Sequence, residues 1–491
     1  MSRIAEQMES QLISPRLSRR GAIGAMGGLV ALAATGTRAA RQPDTLPPIA
    51  RKARNVIFMV ADGMSVGTLT LAELYSKKKL DRQSHWVKLP GQKGVRRCQQ
   101  TTHSADGPVT DSAAAASAWG SGIKFLNGAI NISPEGQQTV PILVQAMQGG
   151  KKTGLVTTTR VTHATPAGFI ANVPKRDLEA DIAIDIVTRG VDVVMGGGAK
   201  HFTDEMLSRF ATVVRDAAGL GGIDAARAAG GKTIGLFARQ HMPFLIDRDA
   251  KVPSLPAMAK TALSILSRAA DGFVLQIEGG RVDHCAHSSD AYCLIREMVE
   301  FDETIAAVLE FVNGRDDTLL VITTDHGNAN PGLTLYGKRG EAAFEQMCKA
   351  SKSQEWIDGQ LPSKMPVEDR LKLLPDLVEQ AMGVKLSSDE MKFMSGVFRN
   401  QRVTPFAAAN VWSFVLGSIL ADHFGVGFVS PNHTSDAVEL LAMGPGSEAV
   451  PAWVDNTQVH QVMVKALGLG EAKLLPGMEK IVAPQAPKTD D

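Results

Sequence analysis

Apolar residues in this chain gather in short continuous runs rather than in strict alternation. The first is Asn55-Val56-Ile57-Phe58-Met59-Val60. Others are Gly154-Leu155-Val156-Thr157, Val191-Asp192-Val193-Val194-Met195, Phe273-Val274-Leu275-Gln276-Ile277 and Leu319-Leu320-Val321-Ile322. Runs this short and rich in β-branched side chains suit strands buried on both faces of a sheet. Between them, 177–189, 257–270 and 290–313 read as helices. Alternating strands and helices predict an α/β fold, with a mostly parallel central sheet flanked by helices on both faces. Residues 333–428 depart from this rhythm. Charge-rich amphipathic stretches from Glu368 to Met382 and from Ser388 to Phe398 predict a helical insertion there. A surface elaboration, a crown, a lid and a dimer contact are all open roles for it. No repeat of solenoid length is visible.

The first forty residues have a different texture. Ser18-Arg19-Arg20 precedes a run of Gly, Ala, Met, Leu and Val to Ala34, and Thr37-Arg38-Ala39-Ala40 offers small residues for cleavage. A basic segment, an apolar core and small residues make an export signal over 1–40. The apolar run, about 14 residues, is too short to span a bilayer core of roughly 30 Å as a helix. The paired arginines resemble a twin-arginine signal, although Gly21-Ala22 replaces the bulkier residues usual there; a general secretory signal or an uncleaved anchor is the alternative. The chain is therefore expected to meet the export machinery and to act in the periplasm or as a secreted protein. Residues 41–53 read as a linker, leaving 54–491 as a single catalytic domain with the insertion inside it.

Composition mainly excludes. Net charge is +1 and aromatic content only 5%, so neither an electrostatic footprint nor a stacking platform argues for a nucleic-acid partner. The four cysteines, Cys98, Cys285, Cys293 and Cys348, do not form paired CxxC zinc motifs. Export makes disulfides possible, but their pairing is not legible in the spacing.

The reactive side chains fall where the strands end. Asp62 follows the first run, Glu278 and Asp283 follow 273–277, and Asp325-His326 follow 319–322. Ligands in open α/β sheets bind outside the carboxyl ends of strands. One such acid is an ordinary helix cap or turn former; several, joined by histidines on separate strands, are not explained that way. Asp283 and His287, four apart, share one helix face. Carboxylate and imidazole together suit zinc. Asp325-His326 form a second pair, and the loop residue His433 could complete a site. Asp62 and Glu278 are hard oxygen donors, which suit magnesium. Ser112, in Thr110-Asp111-Ser112-Ala113-Ala114-Ala115-Ala116, opens an alanine-rich helix whose N-terminal N–H groups favour a phosphate. An isolated serine there is an ordinary cap. No GxSxG elbow surrounds it, so a serine hydrolase triad is not indicated; a metal could instead activate the hydroxyl.

Taken together, these segments resemble the alkaline phosphatase family. Ala61-Asp62-Gly63-Met64, Asp111-Ser112-Ala113-Ala114, Thr162-His163-Ala164-Thr165-Pro166-Ala167, Glu278-Gly279-Gly280-Arg281-Val282-Asp283-His284 with His287, Thr324-Asp325-His326-Gly327 and His433-Thr434 follow in the family's order. The resemblance covers about 54–332 and 429–446. It implies the alkaline phosphatase-like version of the α/β fold. It also implies a metal-dependent phosphoric monoester hydrolase working through a phosphoserine on Ser112. One zinc ion would take Asp283, His287 and His433, and a second Asp62, Asp325 and His326. A third metal, usually magnesium, would take Asp62, Thr165 and Glu278. Arg176 would grip the phosphate with its guanidinium fork. His163 and His284 stand where some bacterial members carry Asp and Lys; an imidazole near the third metal could favour zinc or cobalt. The residues before His433 also depart from a common Gly-Gly-His form of the last motif. Small phosphate monoesters are the implied substrates, and a homodimer is open by analogy with relatives. A phosphodiesterase or phosphonate hydrolase on the same scaffold is the alternative reading, with a non-catalytic phosphate- or metal-binding protein behind it. The Cys/Ser-x-Pro-x-Arg pattern of sulfatases is absent around Ser112.

Overall fold

The computed structural model describes residues 46–479; the export signal expected at 1–40 lies outside them. Ten strands form one sheet. In spatial order they are Trp453–Asp455, Arg96–Thr101, Val438–Met443, Thr318–Thr323, Asn55–Val60, Phe273–Glu278, Lys152–Arg160, Val193–Gly197, Thr233–Leu236 and Thr212–Val214. Val438–Met443 runs antiparallel to both its neighbours. The other pairings in this sheet are parallel. The fold is the mostly parallel α/β sheet that the apolar runs predict.

The strand Asn55–Val60 is buried along its whole length. Val56, Phe58 and Val60 enter one apolar cluster, with Trp119, Phe169 and Ile182. Ile57 and Met59 enter the other, with Phe273, Met298 and Phe301. Successive side chains point to opposite faces of a strand, so a continuous apolar run is what two covered faces require. Register then sets the level of the chemistry. Val60 lies opposite both Glu278 and Thr323. The three central strands therefore end together, and Asp62, Glu278 and Asp325 emerge side by side.

Helix expectations at 177–189, 257–270 and 290–313 correspond to Glu179–Arg189, Leu255–Leu266 and Ala291–Val312. The strand read at 154–157 extends over Lys152–Arg160, and the one read at 191–195 runs Val193–Gly197. Five strands of this sheet lie outside the apolar runs read from the sequence. Arg96–Thr101 is the clearest: its buried Gln100 takes the Trp119 indole N–H at 2.9 Å and donates to the Thr324 carbonyl at 3.3 Å. A buried polar residue satisfied in this way leaves no hydrophobic trace. Within 333–428 lie the helices Gly337–Met347, Gln354–Gln360, Val367–Met382, Ser388–Phe398 and Trp412–Phe424. Among the described residues no helix is long and apolar enough to cross a membrane.

Candidate active site

Ser112 is the first residue of the helix Ser112–Ser121 and is buried. Asp111 caps that helix, its Oδ1 accepting from the Ala114 N–H at 2.9 Å. The second Asp111 oxygen accepts from Arg176 Nη1 at 2.9 Å and from the Gly128 N–H at 3.0 Å. One carboxylate thus fixes both the serine's helix and the arginine. Arg176 Nη2 also faces His163 Nε2 at 3.1 Å. The Ser112 hydroxyl lies 3.3 Å from His326 Nε2.

Behind the serine the donors form three groups, each with ligand atoms within 4.8 Å of one another: Asp283, His326 and His433; Asp62, Asp325 and His326; Asp62, His163 and Glu278. The second is the set expected for one zinc. In the first, His326 stands with Asp283 and His433, its ring stacked on that of His433 at 3.6 Å between centroids. His287 still adjoins: its Nε2 lies 3.3 Å from Asp283 Oδ2 and 3.0 Å from His433 Nε2. In the third group His163 joins Asp62 and Glu278. Thr165 is beside them, its hydroxyl 3.4 Å from Asp62 Oδ2. His284 is one step out, its ring 5.6 Å from that of His163 and its Nδ1 2.6 Å from Arg281 Nη1.

The electrostatics of this pocket favour a cation. Asp62 and Glu278 are completely buried, and Asp62 Oδ1 and Glu278 Oε1 have no hydrogen-bond partner. Burial, then the charges of Asp325, Asp283 and Glu278, hold the Asp62 carboxyl well above the usual range. Burial pushes Glu278 up to about 7, against hydrogen bonds from Thr157 and Thr165. Crowded carboxylates that resist ionisation are what a bound cation relieves. Around Asp283 the balance differs. Burial pushes its pKa up, but His287, His433 and His326 outweigh that and hold it well below the ordinary value.

The imidazoles are oriented from outside. His287 Nδ1 lies 2.6 Å from the Pro431 carbonyl and His433 Nδ1 2.9 Å from the Thr110 carbonyl. A carbonyl only accepts, so each Nδ1 carries hydrogen and each Nε2 is turned inward. Burial lowers the His287 pKa, but Asp283 lifts it to about 9; burial holds His433 down to about 4. Once His287 loses its Nε2 proton, two lone pairs and a carboxylate face one point. Second-partner fixation of this kind is typical of metal-ligating histidines. The donors therefore fit zinc-type and magnesium-type ions.

Several contributors give no signal in the sequence. Asn328 donates to Asp283 Oδ1 at 2.7 Å and holds that carboxylate in place. Thr157, on the strand Lys152–Arg160, donates to Glu278 Oε2. His241 packs edge-on against His163 and His284, with centroids 5.4 and 4.5 Å apart. It follows Thr233–Leu236, a strand without a pattern strong enough to mark its carboxyl end.

Fold and donor set define an α/β protein with a metal-binding site at the carboxyl end of its sheet. The alkaline phosphatase family model matches residues 53–469. Alkaline phosphatase 4 of Bacillus subtilis is 30% identical over 432 residues, covering 85% of this chain and 89% of that protein. The alkaline phosphatase of Escherichia coli is 30% identical over 385 residues, covering 64% of this chain and 80% of its own. The crystal structure of Thermus thermophilus alkaline phosphatase superposes with a TM-score of 0.78 at 29% identity, over 87% of this chain and 93% of that one. The chain belongs to the alkaline phosphatase family, and hence among the phosphatase hydrolases.

Proposed function

We propose that this protein hydrolyses phosphate monoesters through a phosphoserine formed on Ser112, at a site holding two zinc ions and a third metal. The observation that carries the proposal is the position of the Ser112 hydroxyl. It sits at a helix N-terminus, 3.3 Å from His326 Nε2, with Arg176 tethered to the capping residue next to it.

Asp283, His287 and His433 would hold one zinc, and Asp62, Asp325 and His326 the other. Asp62, Thr165 and Glu278 would hold the third metal, a place that suits magnesium but where the nearby His163 shifts the preference toward zinc or cobalt. When bound, such ions supply Lewis acidity at the attacking and leaving oxygens. The chain's own groups do the positioning. Arg176 grips two phosphate oxygens with its fork, and its tether to Asp111 limits how far that fork swings. The first N–H groups of the Ser112 helix face the anion. The Ser112 oxygen attacks phosphorus in line, the new P–O bond forms as the ester P–O bond breaks, and the alcohol leaves. Water then cleaves the phosphoserine, releasing phosphate and restoring the hydroxyl. Positioning and charge stabilisation carry most of such catalysis.

The same proposal takes 1–40 as an export signal, 54–491 as one catalytic domain, and the site of action as periplasmic or extracellular. The test is hydrolysis of a chromogenic monoester and a diester by the mature chain, before and after chelation and with zinc and magnesium restored. Monoester turnover lost on chelation and regained with metal is expected. Strong diester turnover without monoester turnover would favour the phosphodiesterase reading. Turnover of neither by the folded, metal-loaded chain would favour a binding protein.

A further inference from the structure

Outside the reaction centre, two thiols lie against each other. Cys285 is on the helix Arg281–His287, between Asp283 and His287. Cys293 is in the first turn of the helix Ala291–Val312. Their sulfurs are 2.8 Å apart, and both side chains are completely buried. A disulfide needs about 2.05 Å, so an approach of under 1 Å would complete the bond.

The connection between the helices fixes this meeting. The Ser288 N–H donates to the His284 carbonyl at 3.1 Å, Ser289 to Ala286 at 2.9 Å and Asp290 to Cys285 at 3.0 Å. Ser289 turns the chain through a left-handed φ of 53°. Asp290 then caps the second helix, its Oδ1 accepting from the Cys293 N–H at 3.2 Å. The turn is thus closed by backbone bonds on one side and a side-chain cap on the other. Of the remaining cysteines, Cys98 belongs to the apolar cluster on the opposite face of the sheet, its thiol donating to the Leu440 carbonyl at 3.4 Å.

We infer that Cys285 and Cys293 form an oxidisable pair whose disulfide staples the helix bearing Asp283 and His287 to the helix Ala291–Val312. The oxidant is an external disulfide. One cysteine sulfur attacks it, forming a mixed disulfide and releasing one thiol. The second cysteine attacks the mixed disulfide and releases the other thiol. Two S–H bonds are lost, one S–S bond forms, and the external disulfide takes up two electrons and two protons. Because neither sulfur is exposed, the exchange belongs to folding or to a transiently opened state.

The experiment refolds the full chain in a mixture of reduced and oxidised glutathione, alkylates it in denaturant without reductant, and digests it with trypsin. Cleavage after Arg281 and Arg296 leaves both cysteines in one peptide. That peptide is expected unlabelled and lighter by two hydrogens, whereas Cys98 and Cys348 are labelled; prior reduction should make all four label. Alkylation of all four without reduction, or a link from this peptide to another, would overturn the pairing. A second arm rests on the metal-ligand reading of Asp283 and His287. Zinc release to a chelator should be several-fold slower from the oxidised chain than from the reduced one. In Cys293→Ala, or in Cys285→Ala if that variant fails to fold, the oxidant should leave the rate unchanged. Equal rates from oxidised and reduced parent would overturn the stapling role.

Discussion

Gly63 offers a sharp test of how backbone geometry supports the proposed metal ligands. It follows Asp62 and adopts a φ of +70°. A Cβ added there would lie 2.9 Å from the Cα of Asp283 and closer still to its carboxylate. Two costs separate cleanly. The left-handed conformation costs a non-glycine residue about 1–2 kcal/mol. Crowding against backbone in a packed interior costs about 1–3 kcal/mol more. Gly63→Ala should therefore lose about 2–5 kcal/mol, summing those two ranges. Gly314 supplies the control, because its φ is +71° and a Cβ added there would meet nothing within 4 Å. Gly314→Ala should show the conformational cost alone. The assay is thermal and denaturant unfolding of both variants, with and without zinc, followed by zinc titration. Since the added methyl presses on Asp283, zinc affinity of Gly63→Ala should fall by about 10–100-fold, the range seen when support around a ligand is disturbed. Parental zinc affinity with a stability loss equal to that of Gly314→Ala would refute the reasoning.

Arg248 and Glu300 form a buried ion pair, their side chains 4% and 3% exposed. Arg248→Met should cost about 3–5 kcal/mol by removing the cation beside this carboxylate; adding Glu300→Leu should restore only part of it, because the Leu255 N–H then loses its acceptor and Glu297 still lacks Arg248, as read by denaturant unfolding. Burial pushes the His460 pKa down to about 4, even though its Nδ1–H donates to the Trp119 carbonyl. The unfolded chain takes up that proton near the ordinary value of about 6.5 and so binds more protons between those limits. Stability should fall as pH drops from about 6.5 to about 4, and His460→Gln should flatten that slope in pH-dependent unfolding. His163 brings an imidazole to Asp62 and Glu278, so metal analysis of the purified protein should find zinc or cobalt at the third position; one tightly held magnesium per chain would count against it.

Much of this protein is legible because its chemistry is anchored to its strongest hydrophobic signals. The runs at 55–60, 273–277 and 319–322 are buried on both faces, and the residues just beyond them, Asp62, Glu278 and Asp325, converge because the three strands end in register. What escapes reading depends on contacts between distant segments. Arg96–Thr101 pairs with strands from the far end of the chain, and its buried Gln100 is satisfied by polar bonds that leave no apolar pattern. His241 reaches His163 and His284 only through the fold, and Asn328 is seen to matter only once it meets Asp283. Arg176 shows the limit from the other side. Its local sequence reads as a solvated surface arginine, and its bond to Asp111 spans 65 positions of chain.

The most direct test of the proposed reaction is Ser112→Ala in the mature, zinc- and magnesium-loaded chain. Turnover of a chromogenic monoester is measured beside acid-quenched mass spectrometry of the peptide containing residue 112. The parent should show a phosphorylated Ser112 during turnover, and the variant should bind metal normally, carry no phosphate there and lose nearly all activity. A variant that turns over at the parental rate would contradict the covalent step and the role assigned to Ser112.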